Sequence, residues 1–291
     1  MVSVIIPCYN SSATINRAIQ SVLNQSYQNF EIIVVDDASK DSEITKQLLI
    51  AYNDPRISFI QHQINKNGSA ARNTGIKIAK GEFIALLDAD DEWYPEHLKM
   101  SRNLYNEQIN KNTVIYCKEL VKTSHFKDII MPAREIAAGE DVGEYLFCND
   151  GFIQTSSLFI PKFILLNNMF NETLIRHQDY ELVLKLFKSG IVFAMVNQVN
   201  VILHWEGNDI EKKGGTWDFS LNWAKQERRL LTRKAYKYFV LNHAIFPLLQ
   251  KKQRFKGLRL FLENCLVFYP LKKTFKILSV FFFGRIIFSK I

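Results

Sequence analysis

An apolar run that ends in a cluster of carboxylates constrains this chain more than any other stretch. Phe83-Ile84-Ala85-Leu86-Leu87 is of strand length, and Asp88-Ala89-Asp90-Asp91-Glu92 follows it directly. Continuous apolar runs of this length belong to strands buried on both faces, as in parallel sheets. Open α/β sheets deliver their ligand groups at the carboxyl ends of such strands. Two acids spaced i, i+2 at that end can hold one hard divalent cation between the protein and a bound diphosphate, an arrangement that Mg²⁺ and Mn²⁺ favour. A solvated acidic turn is the alternative, because Asp is common in turns.

The preceding residues repeat the same plan. Val2 to Ile6 is an apolar strand closed by Pro7, and Cys8-Tyr9-Asn10 turns into a helix that Ser11 or Ser12 caps and that runs to about Gln25. Phe30 to Val35 is a second strand and ends in Asp36-Asp37-Ala38-Ser39. A helix over 41–52, a strand over 57–61 and a helix opened by Gly68 and closed by Gly81 complete the half. This alternation predicts an α/β fold with a Rossmann-like, doubly wound, mostly parallel sheet, and it puts both acidic clusters at carboxyl ends of strands. Beyond Pro95 the pattern predicts a helix to about Asn110 and a strand from Thr113 to Val121. Lys122 to Gly151 is poorly patterned, with a short helix near 137–147, and Phe152 to Ile160 reads as extended. A short helix over 161–166 comes next, and Gln178 opens an amphipathic helix that Gly190 stops. A strand over 191–203 ends in His204-Trp205. Glu206 to Thr216 is polar and Gly-rich, a mobile loop by composition, and the remainder from Trp217 reads as a C-terminal helical extension.

Composition excludes several classes. At 291 residues, with 47% hydrophobic and 23% charged, the chain is globular. Its 4 cysteines are scattered without a CxxC, which argues for reduced thiols in the cytoplasm and against a zinc site or a disulfide framework. No basic segment or cleavage site precedes Val2, so no signal peptide is expected. GxxxxGK[ST] and GxGxxG are both missing, against P-loop and dinucleotide enzymes. Haloacid-dehalogenase phosphatases need Thr or Val where Glu92 stands. Response-regulator receivers carry their acid pair after the first strand, whereas here it follows the second. The net charge of +8 is unevenly spread, since Lys234 to Ile291 holds 12 Lys or Arg against Glu263 alone. Those cations alternate with Phe, Leu, Ile and Tyr, as in helices lying on an anionic membrane surface. Nucleic acid is not the expected partner, because its basic patch would sit on the folded body with a recognised motif. A helical cap with solvated lysines is the alternative reading of this tail. Its last apolar run, Ile277 to Phe283, is cut by Gly284-Arg285, short of the ~20 residues that span a bilayer.

Val4-Ile5-Ile6-Pro7-Cys8-Tyr9-Asn10, Val34-Val35-Asp36-Asp37-Ala38-Ser39, Ala70-Ala71-Arg72-Asn73, Leu87-Asp88-Ala89-Asp90-Asp91 and Gln178-Asp179-Tyr180-Glu181-Leu182 occur in that order. Together they resemble the inverting family 2 glycosyltransferases of the GT-A fold, of the type that builds bacterial O-antigen and capsule, from Val2 to about Trp205. The resemblance implies a GT-A catalytic domain over 1–233, with a nucleotide-binding half at 1–91 and an acceptor half at 92–233, followed by the basic tail at 234–291. It implies a UDP-sugar donor at Pro7, Tyr9, Asn10, Asp36, Asp37, Arg72, Asp88, Ala89 and Asp90. Tyr9 would stack on the uracil and Asp37 accept from its N3–H, with Asp36 supporting the turn and Arg72 at the base or the diphosphate. Asp88, Asp90 and His204 would be the ligands of Mn²⁺ or Mg²⁺, and Asp91 a supporting or helix-capping acid. Each has an ordinary alternative: packing for Tyr9, a surface ion pair for Arg72, a satisfied surface histidine for His204.

Asp179 would be the general base, a role compatible with capping its helix. The family usually shows Glu-Asp at this point, and this chain has Gln178-Asp179. Processive members carry QxxRW, but Gln226-Glu227-Arg228-Arg229-Leu230 has Leu in place of Trp, which implies that one sugar is added per cycle. The implied acceptor is a polyprenyl-diphosphate-linked saccharide at the cytoplasmic face of the cell membrane, and the implied sugar a hexose or N-acetylhexosamine. A GDP- or dTDP-sugar donor, and a catalytically silent nucleotide-sugar-binding scaffold at the membrane, remain open.

Overall fold

Val2–Cys8 (β1) is buried along almost its whole length and needs cover on both faces. In the computed structural model, which describes residues 1–123, 127–205 and 216–264, it becomes the centre of a parallel sheet. Phe30–Asp36 (β2) pairs with it on one side and Phe83–Leu86 (β4) on the other, while Ile57–Gln61 (β3) flanks β2. Ile15–Leu23 (α1), Ser42–Ala51 (α2) and Gly68–Ile78 (α3) make the crossovers. Pro7 is tolerated in this central strand for a register reason. The β1–β4 ladder ends at Ile5, whose carbonyl takes the Leu87 N–H, and Pro7 faces the same side two residues beyond. Its missing N–H is therefore not asked for.

Beyond β4 the sheet turns mixed. His97–Glu107 (α4) follows the two-residue strand Glu92–Trp93 (β5), and Thr113–Lys122 (β6) and Ile129–Met131 (β7) form a hairpin. After Val142–Cys148 (α5) come Phe159–Pro161 (β8), Lys162–Asn167 (α6), Gln178–Lys188 (α7) and Val192–His204 (β9). The strand order is β3-β2-β1-β4-β8-β6-β9-β5, with β7 on β6. β8 runs antiparallel to β4 because the chain reaches it from the acidic end of β4, through a single 3₁₀ turn at Thr155–Ser157. The extended segment expected over 152–160 is thus only partly a strand. Hydroxyl contacts to the acidic tip hold its middle in a turn.

The period-2 alternation of β1 divides the core. Val4 and Ile6 face one layer, with Ile15, Ile19 and Val22 of α1, while Ile5 faces the other. That second layer also takes Leu182 and Leu186 of α7 and the C-terminal helices Trp217–Gln226 (α8), Arg233–Val240 (α9), Phe246–Gln250 (α10) and Arg254–Asn264 (α11). A π-helical turn, Leu241–Ile245, joins α9 to α10. Residues 234–264 of the expected tail therefore contribute Phe239, Ile245 and Phe261 to the core. The remainder of that tail, 265–291, and the expected mobile loop at 206–215 lie outside the described residues. Among the described residues no helix is long and apolar enough to cross a membrane.

Gly81 sits where the loop before β4 passes over β1. A Cβ there would lie 2.6 Å from the Ser3 nitrogen and 2.9 Å from the Val2 carbonyl carbon, both backbone. Gly81→Ala is expected to cost about 1–3 kcal/mol of stability, as overpacking does. A denaturant midpoint equal to the parent's would show that this junction yields without cost.

Candidate active site

The acidic tip leaves the sheet where the β1–β4 pairing stops, and a different part of the chain then fixes it. Asp88 Oδ1 accepts from the Arg72 guanidinium at 2.5 Å, and Oδ2 accepts from Thr155 Oγ1 at 3.1 Å. The Asp88 N–H donates to Ser156 Oγ at 3.1 Å, and that hydroxyl donates to Asp91 Oδ2 at 2.6 Å. Trp93 Nε1 donates to the Ser156 carbonyl at 2.7 Å. Burial, with the charges of Asp88 and Asp90 added to it, pushes the Asp91 carboxyl well above the usual carboxylate range. The Arg17 guanidinium donates to the Asp90 carbonyl.

Thr155, Ser156 and Arg17 escaped the sequence reading. The one available signal was the run Thr155-Ser156-Ser157, hydroxyls set between apolar neighbours where a buried strand would carry none. Glu119 was missed as well. It is fully buried on β6, held by Gln154 N at 3.3 Å, and burial pushes its carboxyl up.

Asp88 and Asp90 present oxygen donors alone, the chemistry that suits Mg²⁺ or Mn²⁺. The charges of Asp88 and Asp90 raise the cost of ionising Asp91, and a cation relieves that cost. His204 is placed beside the tip, where its backbone N–H donates to Asp91 Oδ1 at 3.2 Å. Its ring is turned to Glu92, with Nε2 2.9 Å from Oε1. Among the described residues no group of three metal-ligating side chains is preassembled.

The second acidic cluster shapes the neighbouring turn. Asp36 is fully buried, and its Oδ2 accepts from Ser39 N at 3.1 Å. Asp37 is nearly buried, and its Oδ1 lies 2.7 Å from His62 Nδ1. Backbone N–H groups of Lys66 and Asn67 donate to the same carboxylate at 2.9 and 2.7 Å. Asn10 ties the first turn to this one, donating its N–H to Ser39 Oγ and accepting from Lys40 N, each at 2.9 Å. Pro7 and Ala89 lie at the same end of the sheet, half-buried and buried respectively. Tyr9 stands beside them 50% exposed, which leaves a ring face open. Ala38, Ser39, Gln61, His62 and Gln63 line a cleft of about 450 Å³ at the ends of β2 and β3.

Arg72 joins this end of the sheet to α7. Its second nitrogen donates to Gln178 Oε1 at 2.9 Å, and Gln178 Nε2 donates to the Leu174 carbonyl at 2.7 Å. The close approach needs Gly68, where a Cβ would lie 3.0 Å from Arg72 Nη1. Asp179 follows Gln178, and burial raises its carboxyl pKa, with Arg72 acting in the opposite sense. An acidic tip, an arginine bridge and, one residue past the bridge, a carboxyl of raised affinity for a proton are thus connected in series. That set can bind a phosphorylated ligand and remove a proton from a second one.

Residues 3–173 match the model of glycosyl transferase family 2. The chain belongs to this family. It is 34% identical over 248 residues to the amylovoran biosynthesis glycosyltransferase AmsB of Erwinia amylovora, covering 81% of this chain and 82% of that protein. It is 40% identical over 126 residues to the UDP-Glc:alpha-D-GlcNAc-diphosphoundecaprenol beta-1,3-glucosyltransferase WfgD of Escherichia coli, covering 40% of this chain and 49% of that protein. The solved structure of S. aureus TarS 1-349 in complex with UDP-GlcNAc superposes with a TM-score of 0.67 at 18% identity, over 90% of this chain and 79% of that one. This family 2 glycosyltransferase accordingly has the GT-A fold, with its helical extension built onto the same core. Asp179 and the C-terminal helices lie beyond the 3–173 match.

Proposed function

We propose that this glycosyltransferase moves one hexose or N-acetylhexosamine from a UDP-sugar to a polyprenyl-diphosphate-linked saccharide during bacterial surface-polysaccharide synthesis, with inversion at the anomeric carbon. The observation that carries the reading is the Arg72 bridge, which links Asp88 of the acidic tip to Gln178, the residue before Asp179. One guanidinium thereby registers the donor site against the candidate base. The UDP-GlcNAc in the TarS complex supports the donor class, and the printed activity of WfgD supports the acceptor class.

In this reading residues 1–91 bind the donor and 92–233 the acceptor. The exposed Tyr9 ring receives the uracil, next to Pro7, Asn10 and the Asp36-Asp37 turn. Thr155 and Ser156 hold Asp88 and Asp91 in place, so the tip does not reorganise when the diphosphate arrives. Asp88 and Asp90, with His204 beside them, would hold the Mg²⁺ or Mn²⁺ whose charge offsets that of the departing UDP. The acceptor hydroxyl oxygen forms its bond to the anomeric carbon as the bond from that carbon to the diphosphate oxygen breaks, and Asp179 takes the hydroxyl proton. The basic segment 265–291 is assigned to the anionic cytoplasmic leaflet from its sequence alone, which keeps the enzyme beside a lipid-linked acceptor.

Calorimetric titration with UDP and with GDP, each with and without Mn²⁺, tests the donor site. UDP binding that requires the metal and is lost in Asp90→Asn is the expected result. Preference for GDP, or no metal dependence, would overturn this donor assignment. Gln178→Glu then probes the base. A carboxylate beside Asp179 raises its pKa further, and the base must be ionised to act. The acid limb of the pH–rate profile is therefore expected to move to higher pH, and an unmoved limb would place the base elsewhere.

A further inference from the structure

We propose that His177 is a positioning residue for Asp179, through which the C-terminal helices set the direction of the base. The proposal rests on the reading of Asp179 given above. His177 immediately precedes α7 and has φ 61°, the left-handed region that residues other than glycine rarely adopt. Such a conformation persists only where the surroundings over-determine it. Here they do so from distant sequence. His177 is 4% exposed, and its Nε2 lies 2.9 Å from Oγ of Ser220, a fully buried residue of α8. Trp223 of α8, Phe239 of α9 and His243 of the π-helical turn surround the imidazole with ring centroids at 5.1, 5.1 and 5.5 Å.

The link to the base is short. The imidazole stacks on Tyr180, with centroids 5.5 Å apart and planes 14° from parallel. The backbone N–H of that same Tyr180 donates to Asp179 Oδ1 at 2.9 Å. The ring held by the C-terminal helices and the N–H that holds the base thus belong to one residue, in the first turn of α7. Burial, with help from His243 and Arg176, lowers the imidazole pKa to about 2, so the wedge stays uncharged wherever the enzyme works. The hydrogen bonds found for His177 and Ser220 do not reach Asp88, Arg72 or the Asp36-Asp37 turn. Loosening His177 should therefore disturb the base more than the donor site, because Asp88 keeps Thr155 and Ser156 and Gln178 keeps its bond to the Leu174 carbonyl.

His177→Gly keeps the left-handed turn and removes the ring, and Ser220→Ala removes one contact and keeps the ring. In the full chain, UDP affinity is expected to stay within about twofold in both, while kcat falls by about 10- to 100-fold in His177→Gly and less in Ser220→Ala, as for a misaimed catalytic group. The acid limb of the kcat profile should move to lower pH, because a loosened Asp179 gains solvent. Amide hydrogen exchange over 178–182 should quicken in both variants and stay unchanged over β1. Parent-like exchange and kcat in His177→Gly would overturn the proposal, as would UDP binding lost in step with kcat. If the parent turns over no UDP-sugar, the donor reading fails, and the exchange measurement still decides the role of His177.

Discussion

Asp179→Asn is expected to keep UDP binding and to lose turnover by about 10²- to 10⁴-fold, the range a general base contributes. The substitution preserves shape and the acceptor oxygen that takes the Tyr180 N–H, so α7 has no reason to shift. Stability should move in the opposite sense to activity. Burial raises the folded-state pKa of Asp179, so its contribution to stability is complete below the unfolded value and is lost as pH rises through the folded one. At neutral pH the folded enzyme bears the desolvation cost of a half-buried ionised carboxylate, and Asn removes it. The thermal midpoint at pH 7 should therefore be equal or higher in the variant, with kcat collapsed. A lower midpoint together with lost UDP binding would assign the damage to folding and remove Asp179 from the mechanism.

Arg72→Lys should lower kcat/KM by about 10²-fold although the charge is retained, because a misregistered site loses that much. The guanidinium reaches Asp88 with one nitrogen and Gln178 with another, and it is packed over the Phe170 ring. An ammonium is a point donor and cannot hold two planar partners in fixed register. Both UDP affinity and kcat should fall, since the bridge touches both halves of the site. If Lys supports parent-like kcat/KM, Arg72 is a charge only, and the donor site and base are registered by something else. The ordinary alternative for Arg72, an ion pair on a helix surface, is already at odds with its burial.

Several devices could not be read from their own neighbourhoods. Thr155 and Ser156 are 65 or more positions from the acids they hold, and nothing in a run of hydroxyls says which carboxylate it will meet. The hydroxyls also prevailed over strand propensity there. Hydrogen bonds to the half-buried Asp88 and the buried Asp91 stand in place of the ladder pairs that a continuous strand would have made. β8 turns antiparallel for a similarly non-local reason, the direction from which the chain arrives. The C-terminal helices carried a basic, aromatic signature that suits a membrane surface, yet Phe239, Ile245 and Phe261 are core residues. Periodicity reports that a face is apolar and is silent on what covers it.

What the chain declares locally is its N-terminal parallel sheet. Apolar runs of strand length, separated by helices and in two cases ending in acids, leave few topologies besides a parallel sheet with its ligand groups at one edge, and β1 to β4 follow that plan. Backbone pairing and burial impose this, and both act over a few residues at a time. The chemistry of the cleft was decided by tertiary structure alone. Only folding brings Arg72 to Gln178, the Thr155–Ser157 turn to the acidic tip, and Ser220 to His177, because those contacts join surfaces whose partners are set by how the layers pack.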